Sequence, residues 1–191
     1  MKYPFLTILL LFFLLNTAKA QEESTPFEKG QIDLNAGLGL LSLLRADGSE
    51  SKMPPITLAA DYAISDMMSI GGFVTFAKNK IDYRNTWGED VRASISHTII
   101  GCRSLFHFYS ESKFDPYLNG MLAYDAVSSK VSEGSPYTAK SQLRFGIYVG
   151  SRYYFADDAA IYGELGFGAS LMNIGLSFKF HNKKHTDNEQ E

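Results

Sequence analysis

The last third of this 191-residue chain, Leu143 to Phe180, alternates residue by residue between two kinds of side chain. One parity is apolar or aromatic, as at Phe145 and Ile147, whereas the other carries charge, tyrosine and glycine, as at Arg144 and Gly146. A period of two predicts extended strands, whose successive side chains point to opposite faces of a sheet. The alternation alone leaves the inner face undecided, because a soluble barrel buries its apolar face and a membrane barrel turns it towards lipid.

The first twenty residues have the features of an export signal. Lys2 supplies a positive charge, residues 5–15 are apolar apart from Thr7, and Ala18-Lys19-Ala20 is a small-x-small cleavage site. We therefore expect Sec-type export with cleavage after Ala20. The sequence divides into a signal peptide at 1–20, a short N-terminal periplasmic segment at 21–29, one barrel domain at 30–180 and a polar C-terminal tail at 181–191.

The charge balance and the cysteine count of the chain exclude some partners and some covalent links. The chain carries 18 basic against 21 acidic residues, and removal of the two signal-peptide lysines makes it more acidic still. This balance argues against nucleic acid as a partner. Cys102 is the only cysteine, so no internal disulfide can form, and we interpret it as a small apolar side chain on a strand.

Eight strand-like segments follow the signal, and helical periodicity is absent from them. The connections alternate in length: those at 45–53, 79–93 and 127–140 are long and polar, and most of the others are tight. Such alternation is typical of an up-and-down membrane barrel, although a soluble meander could also show it. The predicted strands are 31–44, 54–65, 67–78, 94–109, 114–126, 141–155, 158–168 and 171–180.

One face of these strands combines glycine with charges of both signs. An eight-stranded barrel is just wide enough for its own side chains, so small residues suit its interior. We expect this face to point inward and its charges to pair, since an unpaired buried charge is costly. Arg152 and Glu164 flank the tight turn at 156–158, and we expect them to form one such pair. The predicted interior network is Asp33, Asp61, Arg103, Arg144, Arg152, Glu164 and Lys179.

The other face is apolar, with aromatic residues towards the strand ends, as a lipid-facing surface with interfacial girdles requires. Strand four leaves its phase open, because Ser94, Ser96 and Thr98 share a parity with Ile100 and Cys102. Either this strand projects above the bilayer or a bulge changes its phase. The predicted girdle residues are Tyr62, Phe76, Phe108, Tyr109, Tyr124, Phe155, Phe167 and Phe180.

Several short motifs resemble one family. Residues 150–155 (GSRYYF) and 162–167 (YGELGF) look like the final hairpins of small outer-membrane β-barrels of the OmpA/OmpX type, and 114–118 (FDPYL) is similar to their fifth strand. The segment 175–180 (GLSFKF) resembles their C-terminal insertion signal, carried here by Phe178 and Phe180.

The resemblance implies an all-β fold, an eight-stranded antiparallel up-and-down transmembrane β-barrel in a Gram-negative outer membrane. It also implies outer-membrane lipid and the barrel-assembly machinery as partners. The tail at 181–191 is too short and polar for a peptidoglycan-binding domain, so a tethering role is not carried over.

Catalysis finds little support in the sequence. His97 and His107 are the candidates, because barrel enzymes that act on lipids need a histidine with a serine or acidic partner. No motif of such an enzyme surrounds either residue. We therefore predict no catalytic residue, no cofactor and no metal site.

The predicted function is a non-enzymatic barrel with a plugged polar interior, acting in envelope structure or in adhesion through its outer loops. Tyr83, Arg84 and Trp87 form the candidate loop site for an extracellular ligand or host surface, although loop aromatics also pack locally. Two alternatives stay open: a small pore, and a secreted lipocalin-like carrier of a small apolar ligand, which requires the apolar face inside.

Overall fold

The structure is a computed structural model that describes residues 27–44, 49–84, 90–108, 113–131 and 140–180. The predicted export signal, Trp87, Tyr109 and the tail at 181–191 lie outside these residues. No helix long and apolar enough to cross a membrane occurs in the described part of the chain.

The described residues form eight strands, as the sequence predicts. Their bounds are β1 Ile32–Ser42, β2 Ser49–Ser65, β3 Met68–Arg84, β4 Asp90–His107, β5 Phe114–Val131, β6 Gln142–Ala156, β7 Ala159–Phe167 and β8 Ser170–Phe180.

The strands close into one antiparallel barrel in chain order, and β1 completes the ring by pairing with β8. Asp33 lies opposite Asp61 on β2 and opposite Lys179 on β8, so the register places three charged side chains in one row. All of these pairings are between neighbours in the chain except β1 with β8. The predicted up-and-down topology is therefore confirmed.

The two ends of the barrel differ. At one end, here called the turn end, lie the connections 66–67, 108–113 and 157–158 together with the start of β1 and the end of β8. At the other, the loop end, lie the connections 43–48, 85–89, 132–141 and 168–169. In outer-membrane barrels the short turns face the periplasm and the longer loops face outward.

Residues 27–31 pack across the turn end ahead of β1. The amide of Gly30 donates to the carbonyl of Ala63 at 2.9 Å, and the amide of Ala63 donates back to the carbonyl of Gln31 at 2.9 Å. Gly30 has a φ of 87°, which glycine adopts without strain. Phe27 and Gln31 are buried, so this segment covers the turn end of the lumen.

The strands β2 to β5 extend further at the loop end than the sequence predicts. β3 continues to Arg84, β4 begins at Asp90, and β5 ends at Val131, so much of the predicted loops 79–93 and 127–140 is strand. These segments were predicted as loops because their composition is charged and polar. In the structure, however, Ala77, Asn79 and Ile81 are buried, and Lys78 between the first two is exposed. The period of two therefore continues through them.

The phase question for strand four is resolved by its pairing. β4 pairs with β3 and with β5 in continuous register, without a bulge. Ser94, Ser96 and Thr98 therefore face outward on the same side as Ile100 and Phe106, nearer the loop end. Together with the extended neighbours they form a four-stranded sheet above the ring, here called the protruding sheet: residues 49–55, 77–84, 90–98 and 126–131.

The apolar parity faces out around the ring. Phe145 is 73% exposed and Leu143 75% exposed, which would be anomalous on a surface in water. The girdle residues predicted from the sequence all point outward where the structure describes them. These are Tyr62, Phe76, Phe108, Tyr124, Phe155, Phe167 and Phe180.

Candidate functional site

An ion-pair network centred on Arg152 of β6 fills the lumen near the turn end. Arg152 is 1% exposed, and its Nη1 donates to Asp33 Oδ2 at 2.9 Å and to Asp115 Oδ2 at 3.3 Å. Its Nη2 lies 3.7 Å from Asp61 Oδ2, and the guanidinium carbon lies 5.2 Å from the centre of the Tyr117 ring. Because these carboxylates come from β1, β5 and β2, one arginine links separate parts of the wall.

Arg103 of β4 forms the second ion pair of the network. Both Nε and Nη2 donate to the Asp61 carboxylate, with Nε 2.7 Å from Oδ1, and this fork geometry matches a carboxylate. Asn35 Nδ2 donates to Asp61 Oδ2 at 2.8 Å, and Gln31 Nε2 donates to Asp33 Oδ1 at 2.6 Å. The buried carboxylates are thus paired and also hydrogen-bonded, as burial of charge requires.

The predicted pair of Arg152 with Glu164 is wrong. The register places Arg152 opposite Tyr162 and places Glu164 opposite Gly150, one pleat nearer the loop end. The long arginine side chain reaches across the lumen to other strands instead of along its own hairpin. Closeness of Arg152 and Glu164 across the hairpin therefore did not identify the acids that Arg152 binds.

Glu164 accepts hydrogen bonds from neutral donors and lies on the loop-end side of this ion-pair network. Its Oε1 accepts hydrogen bonds from Asn119 Nδ2 at 3.0 Å and from the Tyr117 hydroxyl at 3.2 Å. Its Oε2 accepts one from Asn173 Nδ2 at 3.0 Å. We call the buried charged and amide side chains of this half the polar layer: Gln31, Asp33, Asn35, Asp61, Arg103, Asp115, Asn119, Arg152 and Glu164.

Glycines on the inner face make room for this layer. A Cβ at Gly150 would lie 2.8 Å from both Glu164 Cγ and Tyr117 Cζ, closer than real Cβ atoms approach. A Cβ at Gly37 would collide with the Tyr162 hydroxyl. The glycines at these two inward positions therefore make room for large polar side chains on nearby strands, as the sequence predicts for a crowded interior.

His107 forms a buried chain of contacts at the turn end. Its Nδ1 lies 2.8 Å from Asp115 Oδ1, its Nε2 lies 3.3 Å from Ser69 Oγ, and Phe27 stacks on its ring at 3.5 Å with an 11° interplanar angle. The order serine, histidine, aspartate is that of an activated nucleophile. However, Ser69 is 0% exposed and Phe27 covers the imidazole, so no substrate reaches the serine in this structure.

His97 lies in the loop-end half of the lumen, in a second group of charged side chains around Asp125. Its Nδ1 is 3.0 Å from Asp125 Oδ2, and Arg144 Nε donates to the same oxygen at 2.7 Å. Asp125 is 0% exposed, whereas Arg144 is half-buried. The Arg144 guanidinium and the His97 imidazole thus share one carboxylate, an arrangement that fixes the three side chains relative to one another.

The loop-side half of the lumen contains an apolar cluster beside the group of His97, Asp125 and Arg144, which corrects the prediction of a polar interior throughout. Phe73, Ala77, Ile99 and Ala123 pack together there, and Leu44 joins them from the β1–β2 connection. The inward residues of β3 and β4 are largely apolar at this end. The prediction of a polar interior was based on the other strands and did not take these two into account. We call this cluster the apolar layer; Ile81, Ala93 and Ile95 with Val127 continue it into the protruding sheet.

The two layers meet around a small cavity. Its volume is about 30 Å³ and its lining includes Phe73 and Ile99 from the apolar layer and Arg103 and Glu164 from the polar layer. A water molecule needs roughly 10–15 Å³ measured in this way, so the space holds about two.

Most of the predicted interior residues do face the lumen. Asp33, Asp61, Arg103, Arg152 and Glu164 are buried. The other two, Arg144 and Lys179, are half-buried, and Lys179 Nζ lies 4.8 Å from the centre of the Tyr154 ring.

The predicted interior charge network leaves out two acids, Asp115 and Asp125. Both have the inward parity of Tyr117 and Asn119 on β5, which is the signal that assigns them to the network.

The predicted loop site is only partly within the described structure. Tyr83 and Arg84 belong to β3 and not to a loop, and Trp87 lies outside the described residues. Phe178 and Phe180 are exposed on the outer face of β8, and their role in insertion stays a prediction. In the ranges that the structure covers, no three histidine, cysteine or acidic side chains are grouped to hold a metal ion.

No family model and no curated protein matches the sequence. Among solved structures, the chain is similar to the outer membrane protein OprG from Pseudomonas aeruginosa, with 11% identity, a TM-score of 0.62, and coverage of 81% of this chain and 98% of that one. It is also similar to the N-terminal β-barrel domain of OprF from the same organism, with 14% identity, a TM-score of 0.53, and coverage of 80% and 98%. At these identities the similarity shows the fold.

Proposed function

We propose that this chain, which has the fold of small outer-membrane β-barrels of the OmpA/OmpX type, is a closed, non-enzymatic barrel of the bacterial outer membrane. In this proposal it holds the protruding sheet above the lipid for contact with a partner at the cell surface. The observation that carries the proposal is the combination of an apolar outer belt, a lumen filled by two layers, and strands that continue beyond the belt.

The height of the outer belt supports a position in a bilayer. Outward residues are apolar or small over 68–76 on β3, 100–108 on β4 and 114–124 on β5. A tilted transmembrane strand needs about 9–11 residues, which these ranges match. Beyond Phe76 and Tyr124 the outward residues are mostly polar, as at Lys78, Ser128 and Lys130. The carrier alternative needs the apolar parity inside, and the exposure of that parity is against it.

The filled lumen supports a closed barrel over a pore. Arginines and aspartates of the polar layer form ion pairs across the lumen, and the apolar layer beyond them packs without polar groups. Eight strands leave an interior just wide enough for side chains. A solute would have to break ion pairs and separate packed apolar groups in turn.

The position of the protruding sheet supports an outward-facing role. In outer-membrane barrels the end with the termini and short turns faces the periplasm, so the loop end and its sheet face outward. The sheet offers backbone and side chains from four strands beyond the lipid. Envelope structure and adhesion both need such a surface, whereas an enzyme of the membrane needs a reachable nucleophile or base.

The location is tested by fractionating cells and comparing unboiled with boiled samples on gels. We expect the protein in the outer-membrane fraction, with a mobility that shifts on heating because the folded barrel resists detergent. A protein found wholly in the soluble periplasm contradicts the proposal.

The closed state is tested by planar-bilayer recording of the purified, heat-modifiable protein. We expect no steady channels, with a known porin in the same bilayer as the positive control. The surface role is tested by binding of expressing cells to host-matrix proteins. A variant that lacks residues 79–95 but keeps the heat shift is the control, and binding that survives this deletion argues against the protruding sheet.

A further inference from the structure

The polar layer contains more acidic than basic side chains. Its ion pairs join both arginines to the three aspartates, and Glu164 is in none of them. Within the described residues, Glu164 is therefore the acid of this layer without a guanidinium partner. The charged members of the layer are four acids, Asp33, Asp61, Asp115 and Glu164, and two bases, Arg103 and Arg152.

The other described basic groups that face the lumen lie beside different partners. The contacts are His107 with Asp115 at 2.8 Å, His97 and Arg144 with Asp125 at 3.0 and 2.7 Å, and Lys179 with the Tyr154 ring at 4.8 Å. Along β8, Lys179 also lies six residues from Asn173, which is the register partner of Glu164. None of these groups is placed to balance the charge of Glu164.

Hydrogen bonds hold the Glu164 carboxylate without balancing its charge. Its described donors are the side chains of Tyr117, Asn119 and Asn173, and all three are neutral. An ionised carboxylate has about four acceptor positions, so a further partner fits. Because a buried ion is costly unless it is paired, the expected further partner is a positive charge.

A second buried oxygen lies beside this carboxylate. Asn119 is 1% exposed, and its Oδ1 accepts no hydrogen bond from the described residues. Its Nδ2 donates to Glu164, which sets the orientation of the amide. Asn119 and Glu164 both line the cavity of about 30 Å³ between the two layers. Arg103 lines it too, but the charge of Arg103 is already paired with Asp61.

The chemistry of this lining selects a class of ligand. Carboxylate and amide oxygens are ligands for hard cations. The carboxylate of Glu164 disfavours an anion, and a single unbalanced carboxylate matches a single positive charge. A divalent ion would leave an excess of positive charge, and Ca²⁺ takes six to eight oxygens in its sites. The cavity has room for about two water molecules, and hence for a small cation with a water.

We propose that the cavity beside Glu164 binds a monovalent metal cation such as Na⁺ or K⁺, with Glu164 as its counter-ion and Asn119 Oδ1 as a neutral ligand. The ion would balance the charge of Glu164 and stabilise the folded barrel. The site goes beyond the proposed function, because it does not depend on a partner at the cell surface. Its oxygens come from different strands and form no sequence motif, so this proposal revises the sequence-based prediction of no metal site.

The test melts the full-length mature protein in non-ionic detergent micelles, followed by circular dichroism, in NaCl or in choline chloride at equal ionic strength and pH. Choline is too large for the cavity, so it screens charges without binding there. A ligand that binds only the folded state raises its stability with concentration. We expect a melting temperature about 5–10 °C higher at a Na⁺ concentration one hundred times the dissociation constant.

Three variants separate a bound ion from a general salt effect. Glu164→Gln removes the charge with little change of shape and should abolish the difference between NaCl and choline chloride. Asp158→Asn makes the matching change at an exposed turn and should keep the difference. Asn119→Ala removes the neutral ligand and should raise the Na⁺ concentration for half of the effect by about tenfold. The spectrum before melting shows whether each variant is folded.

Thallium(I), a heavy monovalent cation, tests the position in the unaltered protein. We expect crystals grown in thallium acetate to give an anomalous scattering peak between Glu164 and Asn119. No peak there, equal melting in NaCl and choline chloride, or a Na⁺ effect that survives Glu164→Gln overturns the proposal. A melting temperature that responds to acid but not to Na⁺ also overturns it, because a proton then neutralises the carboxylate.

Discussion

Arg152 and Asp33 are separated by 119 residues in the chain, yet Nη1 of the arginine lies 2.9 Å from Oδ2 of the aspartate inside the lumen. Asp33 also accepts a hydrogen bond from Gln31, and Arg152 also binds Asp115. The stability of the barrel interior depends on this contact, because each partner is 1% exposed and water cannot replace the other.

Arg152→Met should lower the free energy of unfolding by about 3–5 kcal/mol, because it leaves Asp33 and Asp115 as buried charges with fewer donors. Urea unfolding in lipid vesicles measures this change. Lys52→Met removes the same charge from an exposed position and should change stability by less than about 0.5 kcal/mol. Adding Asp33→Asn to the methionine variant should recover part of the loss, and an additive further loss would contradict the pairing.

Leu122→Arg should destabilise the barrel by about 2–4 kcal/mol, because it places a charge in the middle of the outer belt. Ser128→Arg lies on the same strand and the same face but within the protruding sheet, and should cost no more than about 1 kcal/mol. The measurement is the free energy of folding into vesicles. Equal costs at the two positions would mean that the apolar belt is not in lipid.

Gly150→Val should cost about 1–3 kcal/mol by overpacking against Glu164 and Tyr117. Gly163→Val on the neighbouring strand is the control, since a Cβ there meets nothing within 4 Å and points outward. The temperature at which the gel mobility shifts reports the difference. A larger effect at Gly163 would show that the inner and outer faces of this hairpin are reversed.

The two layers close the lumen in series, so opening one should not make a channel. Arg103→Ala combined with Asp61→Ala removes a whole ion pair from the polar layer, and Phe73→Ala combined with Ile99→Ala thins the apolar layer. We expect neither double variant to conduct steadily and the quadruple variant to do so in planar bilayers. Steady channels from the apolar-layer variant alone would show that the polar layer does not close the lumen.

The architecture was predictable from the sequence because a period of two survives in every strand, and because glycine and charge on one face suit a narrow barrel. The strand extensions were not predictable, because outward residues such as Ser128 and Lys130 stand beyond the apolar belt and are polar, and a polar segment resembles a loop. The partner of Arg152 was not predictable either. It depends on how far a long side chain reaches across a closed ring, which no pairing of neighbouring strands reveals.

The contact between Arg152 and Asp33 also has a consequence for the order of assembly. Asp33 lies on the first strand and Arg152 on the sixth, and the first strand takes its final place only when it meets the eighth. The ion pair can therefore reach its native geometry only once the ends of the sheet have joined. A spectroscopic probe of that pair would report the moment at which an open, curved sheet in the membrane becomes a ring.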